Sequence, residues 1–144
     1  MKTQFTLYFE TMPKGTAQQK GFNRYTGRFY KKDSVSSAEK QFATALLKYR
    51  PKKPTDKPVR LTVWFGFDVK QKKLWGTYKP TRPDCDNYIK EFKDTMTKAG
   101  FWEDDSQVAD ERVIKTYSEK AFIFVIIEDL EDKSFPGVLE GGNR

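Results

Sequence analysis

Residues 59–67, V-R-L-T-V-W-F-G-F, have apolar side chains at every second position, at Val59, Leu61, Val63, Phe65 and Phe67. This alternation predicts a strand with one buried face. A helix is predicted from Asn87 to Ala99, where apolar residues recur in steps of three and four until Gly100 ends the pattern. The apolar positions of that helix are Ile89, Phe92, Met96 and Ala99.

Further elements flank this pair on both sides. Residues 3–10 alternate as a half-buried strand should, and helical spacing predicts a helix from about 36 to 50. Two antiparallel strands are predicted over 107–117 and 121–128, and the second is expected to be central in the sheet because its apolar run is continuous. The prediction is a single α+β domain, in which a mixed sheet of about four strands packs with two main helices.

The boundaries of that domain follow from composition. We expect the domain to span residues 1–130. A basic N-terminal arm or hairpin is expected between Met12 and Asp33, where the sequence mixes Lys and Arg with Gly and aromatic residues. Three prolines interrupt residues 51–58, which predicts an irregular linker. Residues 131–144 are acidic and rich in Gly, and they are expected to be a disordered tail.

Charge indicates what the protein binds. The 144 residues carry a net charge of +7, with 19 basic and 5 acidic residues before position 84 and 8 basic and 15 acidic residues from there on. This asymmetry suits a phosphate-binding half and an acidic pocket, although a solvated surface with an acidic tail would show it too. A chain with no His and one Cys excludes histidine catalysis and a structural zinc site, so any bound metal is expected to have oxygen ligands.

Localisation is predicted from what the chain lacks. No run approaches the roughly 18 apolar residues of a membrane span, and the N-terminus does not resemble a signal peptide. We expect a cytoplasmic protein that needs neither a membrane nor a small-molecule cofactor.

Two carboxylates stand at the start of the predicted second helix. In an extended stretch, Asp84 and Asp86 would project to the same side, where they could hold Mg²⁺ or Mn²⁺ while Cys85 points away. The alternative is that Asp86 merely caps the helix, because Asp is favoured at that position.

A lysine and a second acidic pair follow. Lys90 lies one turn after Asp86 and one turn before Asp94, which is consistent with a plain ion pair of about 0.3 to 0.5 kcal/mol or with a lysine beside a metal and a phosphate. Asp104 and Asp105 are adjacent like charges, whose repulsion a cation or a solvated turn would relieve.

Taken together, these motifs resemble a known family. The segments R-P-D-C-D-N-Y-I-K at 82–90, D-T-M-T-K-A-G-F-W-E-D-D-S-Q-V at 94–108 and R-V-I-K at 112–115 resemble the signature of the RusA family of Holliday junction resolvases. The close match covers residues 82–115. The N-terminal segment M-P-K-G-T-A-Q-Q-K-G is similar to the version found in phages and prophages of Gram-positive bacteria.

The resemblance implies an activity and a site. It implies a homodimeric, Mg²⁺-dependent endodeoxyribonuclease, in which Mn²⁺ can substitute for Mg²⁺. Such an enzyme cuts four-way DNA junctions by paired symmetric nicks in recombination and repair. The residues carried over as metal ligands are Asp84, Asp86, Asp105 and the helper Asp104, and Lys90 is carried over as the essential lysine. Asn87, Gln107 and Lys115 also fall on family positions.

DNA contacts are expected from the basic half. The cationic residues assigned to them are Lys14, Lys20, Arg24, Arg28, Lys31, Lys32, Lys72, Lys73, Lys79, Arg82 and, from the later motif, Lys115. The aromatic residues Tyr25, Phe29, Trp75 and Tyr78 either stack on exposed bases or serve in packing.

Helix length raises a geometric problem for this site. A helix from Asn87 to Ala99 spans about 20 Å, so Asp86 and Asp105 begin at opposite ends of it. Either residues 100–105 fold back along the helix, or the two acidic clusters meet across a subunit boundary. We favour the second, in which a two-fold dimer forms two equivalent sites.

Two other functions compete with junction resolution. The chain could be a non-catalytic basic DNA-binding protein with structural carboxylates. It could also be a different metal-dependent nuclease that cuts flaps or other branched DNA.

Overall fold

The computed structural model describes residues 2–14, 20–23, 28–31 and 37–130, with the backbone alone for the two short segments 20–23 and 28–31. In chain order the strands and helices are β1 (Lys2–Phe9), β2 (Lys20–Asn23), β3 (Arg28–Lys31), α1 (Ser37–Leu46), β4 (Val59–Asp68), α2 (Cys85–Lys98), β5 (Val108–Ser118) and β6 (Ala121–Asp129). Short 3-10 turns lie at Leu47–Tyr49, Lys72–Leu74 and Asp105–Gln107. None of the helices within these described ranges is long and apolar enough to cross a membrane.

The main sheet has four strands in the order β1-β6-β4-β5. β6 pairs antiparallel with β1 and with β4, whereas β4 pairs parallel with β5. This confirms the predicted mixed sheet and the central position of β6. The apolar alternation of β4 also appears as predicted, because Val59, Leu61, Val63 and Phe65 are all fully buried.

Both helices complete the core. Phe92 of α2 packs edge-on against Phe42 of α1 and Phe65 of β4, with ring centroids 5.1 and 5.8 Å apart. All three side chains are fully buried. The helical spacing in the sequence thus marked the core-facing side of α2, as expected of an amphipathic helix.

Two strands that are consecutive in the chain are not neighbours in the sheet. β5 and β6 run antiparallel as predicted, but β4 lies between them. β5 instead continues a parallel β4–α2–β5 unit, since a helix between two strands lets the chain return in the same direction. Alternation along a strand shows which face is buried and does not show which strand is its neighbour.

The N-terminal segment is described in part. β2 and β3 pair antiparallel, with Lys20 opposite Lys31 and Asn23 opposite Arg28. This agrees with a hairpin, while an arm is not confirmed. The predicted tail at 131–144 lies outside the described residues, so its disorder stays a prediction.

The parallel unit determines where the start of α2 lies. In such a unit the helix runs back against the strands, so its N-terminus lies near the carboxyl ends of β4 and β5, where α/β proteins commonly bind ligands. Here the last residues of β4, Phe67 and Asp68, line the same cavity as Asp84.

Candidate active site

The first acidic pair lies at the N-terminus of α2. Asp84 is the N-cap residue, with φ −67° and ψ 146°, and Asp86 belongs to the first helical turn. The expectation of one extended stretch is therefore wrong, because the helix begins at Cys85. The capping alternative for Asp86 is wrong as well, since Asp84 holds that position and its side chain makes no capping hydrogen bond.

This pair suits a divalent cation. Both carboxylates are exposed, and within the described ranges neither has a hydrogen bond or an ion pair. A helix N-terminus favours negative charge, but two carboxylates this close still repel each other unless a cation or solvent screens them. Mg²⁺ is commonly held by one or two carboxylates together with water and substrate phosphates. Asp84 and Asp86 therefore provide a donor set of the right chemistry.

The second acidic pair meets α2 farther along the helix. Burial raises the pKa of Asp94 to about 6, and its hydrogen bond with Asp105 acts in the same direction. Burial also opposes ionisation of Asp105, but hydrogen bonds from Asp94, Thr97 and Trp102 outweigh it and hold the pKa of Asp105 below its ordinary value. The Thr97 hydroxyl donates to Asp105 and accepts from the Trp102 indole at 2.6 Å. Asp94 and Asp105 thus share one proton below about pH 6, and that proton is lost as the pH rises through this value.

The two acidic pairs stay apart within one chain. Asp86 and Asp94 are eight residues apart on α2, which corresponds to about 12 Å along the helix axis. The turn after α2 brings Asp105 back to Asp94 and leaves it short of Asp86. Accordingly, the part of the chain that the structure describes contains no cluster of three or more acidic or Cys side chains that could hold a metal ion.

A pH-dependent stability is expected from Asp94. Its folded-state pKa of about 6 exceeds its ordinary 3.8, so the folded state binds the proton more tightly. The stabilisation from that proton is complete below about pH 4 and is lost as the pH rises through 6. In EDTA, the free energy of unfolding of the wild type should therefore fall, relative to Asp94→Asn, between pH 4 and 6.5. Urea titrations at several pH values measure this difference.

An exposed carboxylate provides the control for this experiment. Glu119 lies in the turn between β5 and β6, and Glu119→Gln should follow the wild-type pH dependence. Parallel curves for the wild type and Asp94→Asn would contradict the shared proton.

Gln107 holds the turn that carries Asp104 and Asp105. Its side-chain oxygen accepts from the backbone N–H groups of Glu103 and Asp104, both at 2.8 Å. Its amide nitrogen donates to the carbonyls of Thr55 and Lys57 at 2.8 and 3.0 Å. The motif glutamine is therefore a structural bridge between the acidic turn and the proline-rich linker.

Asp104 faces its own turn. Its carboxylate accepts from the backbone N–H of Ser106 at 2.9 Å and from the Ser106 hydroxyl. These hydrogen bonds lower the pKa of Asp104, and the one from the Ser106 hydroxyl has the largest effect. The structure thus gives Asp104 a capping role in the turn, and its predicted role as a metal helper stays a prediction.

We expect Gln107→Ala to destabilise the fold by about 2 kcal/mol. Four hydrogen bonds disappear together, and each contributes a net of about 0.5 to 1.5 kcal/mol. Urea unfolding measures the loss. Gln107→Glu should not rescue it, because a carboxylate oxygen would then face two carbonyls. The exposed Gln71→Ala serves as control, and a Gln107→Ala midpoint equal to that of the control would refute the bridge.

Cationic residues line a cavity next to Asp84. A cavity of about 630 Å³ opens beside Asp84 and is lined in part by Lys14, Lys79, Arg82 and Tyr117. Three of the eleven cations assigned to DNA thus lie next to the predicted metal ligands. Lys79 lies over the Tyr117 ring, with its ammonium 4.9 Å from the ring centroid, and it donates to Thr81 at 2.7 Å.

The other assigned cations are distributed differently. Lys72 and Lys73 are exposed on a 3-10 turn. Lys115 is half-buried, and its ammonium donates to two backbone carbonyls. The side chains of Lys20, Arg24, Arg28, Lys31 and Lys32 lie outside the described part of the chain, so these assignments stay predictions. The same holds for Tyr25 and Phe29.

The aromatic candidates near α2 differ from each other. Trp75 donates its indole N–H to the carbonyl of Val69 at 2.9 Å, which marks it as a packing residue. Tyr78 is 77% exposed and remains accessible for stacking.

Sequence reasoning missed one member of the acidic row. Asp94 was interpreted only as an ion-pair partner of Lys90, whereas the structure brings it to Asp105. The sequence feature that could have drawn attention to Asp94 was its position one helical turn after Lys90. The contact itself depends on how the chain turns after α2, which local spacing does not reveal.

Comparison with known proteins decides the family. The family model for endodeoxyribonuclease RusA matches residues 10–128, which is most of the chain. The chain belongs to the RusA family of endodeoxyribonucleases. The match spans both acidic pairs, Lys90 and the whole parallel β4–α2–β5 unit.

Individual relatives of this RusA-family chain agree. It is 35% identical over 132 residues to the crossover junction endodeoxyribonuclease rusA of Lactococcus phage r1t, covering 90% of this chain and all of that protein. It is 31% identical to the uncharacterized protein YqaN of Bacillus subtilis strain 168, covering 88% of this chain and 96% of that protein. A shorter match, 59% identical over 34 residues, covers 24% of this chain and 28% of the crossover junction endodeoxyribonuclease RusA of Escherichia coli K12.

Proposed function

We propose that this RusA-family protein resolves four-way DNA junctions by Mg²⁺-dependent phosphodiester hydrolysis, in recombination and repair in the bacterial or phage-infected cytoplasm. The observation that carries the proposal is the exposed Asp84–Asp86 pair at the start of α2, beside a cavity lined by three cations. The similarity to a phage crossover junction endodeoxyribonuclease over the full length of that relative supports the substrate.

The residues at the start of α2 have different roles in the proposed hydrolysis. Asp84 and Asp86 would hold the cation, and Mn²⁺ has the same ligand preference. When bound, the cation would neutralise the scissile phosphate and activate the attacking water. Lys90 lies one turn along the exposed side of α2 from Asp86, where its ammonium can stabilise charge that develops on the phosphate oxygens.

The cavity supplies phosphate contacts. Lys14, Lys79 and Arg82 lie on its lining, and Lys72 and Lys73 extend the positive surface along the same loop. Such contacts give affinity without sequence specificity, as recognition of a branched backbone requires.

A homodimer would complete each site. Within one chain Asp105 meets Asp94, which lies about 12 Å along the helix axis from Asp86, so Asp105 and Asp86 are too far apart to reach one cation. We propose that each site combines Asp84, Asp86 and Lys90 of one subunit with Asp105 of the partner subunit. Two such sites related by a two-fold axis would cut two opposed strands of a junction.

Cleavage of synthetic DNA tests the proposal. A mobile four-way junction, a matched linear duplex and a flap of the same arm sequences are incubated with the protein in Mg²⁺ or in EDTA. We expect paired symmetric nicks in the junction only, and only with Mg²⁺. Equal cutting of the flap would indicate a different branched-DNA nuclease, and binding without cleavage would indicate a non-catalytic DNA-binding protein.

A further inference from the structure

Lys115 connects β5 to the loop that leads into the active site. Its ammonium donates to the carbonyl oxygens of Thr81 and Pro83, both at 2.6 Å. The side chain is half-buried on the core-facing side of the sheet, in register with the buried Phe65 of β4. A lysine ammonium has three donor hydrogens, so two of them are already committed.

The rest of the loop is joined to the same strand through its backbone. Lys79 donates its N–H to the carbonyl of Lys115 at 3.0 Å, and Tyr117 exchanges hydrogen bonds of 2.9 Å with Gly76 and Thr77. These contacts hold residues 76–79. Beyond them, the Thr81 hydroxyl is hydrogen-bonded to the Lys79 ammonium at 2.7 Å and to the Tyr117 hydroxyl at 3.3 Å. Within the described ranges, the Lys115 ammonium provides the hydrogen bonds to the backbone carbonyls of Thr81 and Pro83.

The position of Asp84 depends on this contact. The carbonyl of Pro83 belongs to the peptide group that precedes Asp84, so fixing it fixes the backbone from which the carboxylate projects. The Asp84 side chain makes no capping hydrogen bond of its own. Its placement is therefore determined by the backbone around it.

We infer that Lys115 is a positioning residue, which holds the Asp84 carboxylate in place for metal binding and does not serve as a contact to DNA. The inference rests on the proposed function and replaces the DNA-binding role expected from the sequence. Two of the three donor hydrogens of the Lys115 ammonium are bound to backbone carbonyls, whereas Lys72 and Lys73 are exposed on their turn. Outer-shell partners of metal ligands typically change metal affinity by about 10- to 100-fold when they are removed.

Lys115→Met tests the inference, because methionine has a similar length and no donor. We expect the Mg²⁺ concentration for half-maximal junction cleavage to rise about tenfold. Junction affinity in EDTA should stay within about twofold. Amide hydrogen exchange should accelerate at Thr81, Arg82 and Asp84, which are the residues of this loop that carry an N–H. Lys115→Arg, which keeps donors, should recover part of the Mg²⁺ dependence.

Matched variants separate the possible outcomes. Lys120→Met removes an exposed lysine in the turn after β5 and should behave as wild type in all three measurements. Should Lys115→Met fail to fold, Lys115→Leu, which also has no donor, answers the same question with a shorter side chain. Weaker junction binding in EDTA with an unchanged Mg²⁺ requirement would overturn the inference, and so would a loss of stability alone. A wild type that cuts no junction would instead refute the proposed function.

Discussion

Asp84→Asn is expected to reduce junction cleavage by about 10³-fold or more while leaving junction binding in EDTA intact. The amide is isosteric but neutral, so the cation loses a charged ligand and the scissile phosphate loses its stabilisation. The side chain is exposed and makes no capping hydrogen bond, so the free energy of unfolding should change by no more than about 0.5 kcal/mol. Cleavage rates, junction affinity and urea unfolding of the same preparation measure the three effects.

Two comparisons make this result specific. Glu119→Gln removes an equally exposed carboxylate from the turn after β5 and should retain full cleavage. Junction affinity of Asp84→Asn should be equal to or slightly higher than that of the wild type, because a negative charge near the phosphates is removed. Retained cleavage would show that the carboxylates of the motif are structural.

Mixing two inactive variants is expected to restore cleavage. In a heterodimer of Asp84→Asn and Asp105→Asn subunits, one shared site has all of its native carboxylates and the other has lost two. Half of the dimers are mixed after random exchange and each has one working site, so about a quarter of the wild-type rate should return. The products should be single nicks, because the second strand has no working site. Refolding the variants together, followed by a strand-specific cleavage assay, measures this.

A second mixture controls for non-specific rescue. Asp84→Asn combined with Asp86→Asn damages the same half of each site, since both residues begin the same helix. No shared site is then intact, and no activity should return. Recovery in both mixtures, or in neither, would contradict sites shared between subunits.

Local patterns predicted most of the fold. The helix expected at Asn87–Ala99 is α2, and the alternation over 59–67 is β4. These predictions succeed because burial of one face imposes a period of 2 or 3.6 on the residues themselves. The alternation did not indicate strand pairing, and β5 lies beside β4 because the helix between them returns the chain in the same direction.

Two motif residues show where sequence reasoning about the site stops. Gln107 and Lys115 fall on family positions, yet their side chains bind backbone carbonyls of segments far away in the chain. Their partners, Thr55 and Pro83, carry no side-chain signal for such contacts, because a carbonyl is common to every residue. A polar residue in a motif can therefore position the site without touching the substrate.

The fold class, the basic character of residues 1–83 and the residue types that can hold a cation were predictable without a structure, since composition and periodicity are properties of the chain alone. The order of the strands, the contact of Asp94 with Asp105 and the separation of that pair from Asp84 and Asp86 became apparent from the folded chain. These features depend on how segments distant in the chain pack against α2. The free energy of that packing is a sum over contacts throughout the fold, so a local pattern does not reveal it.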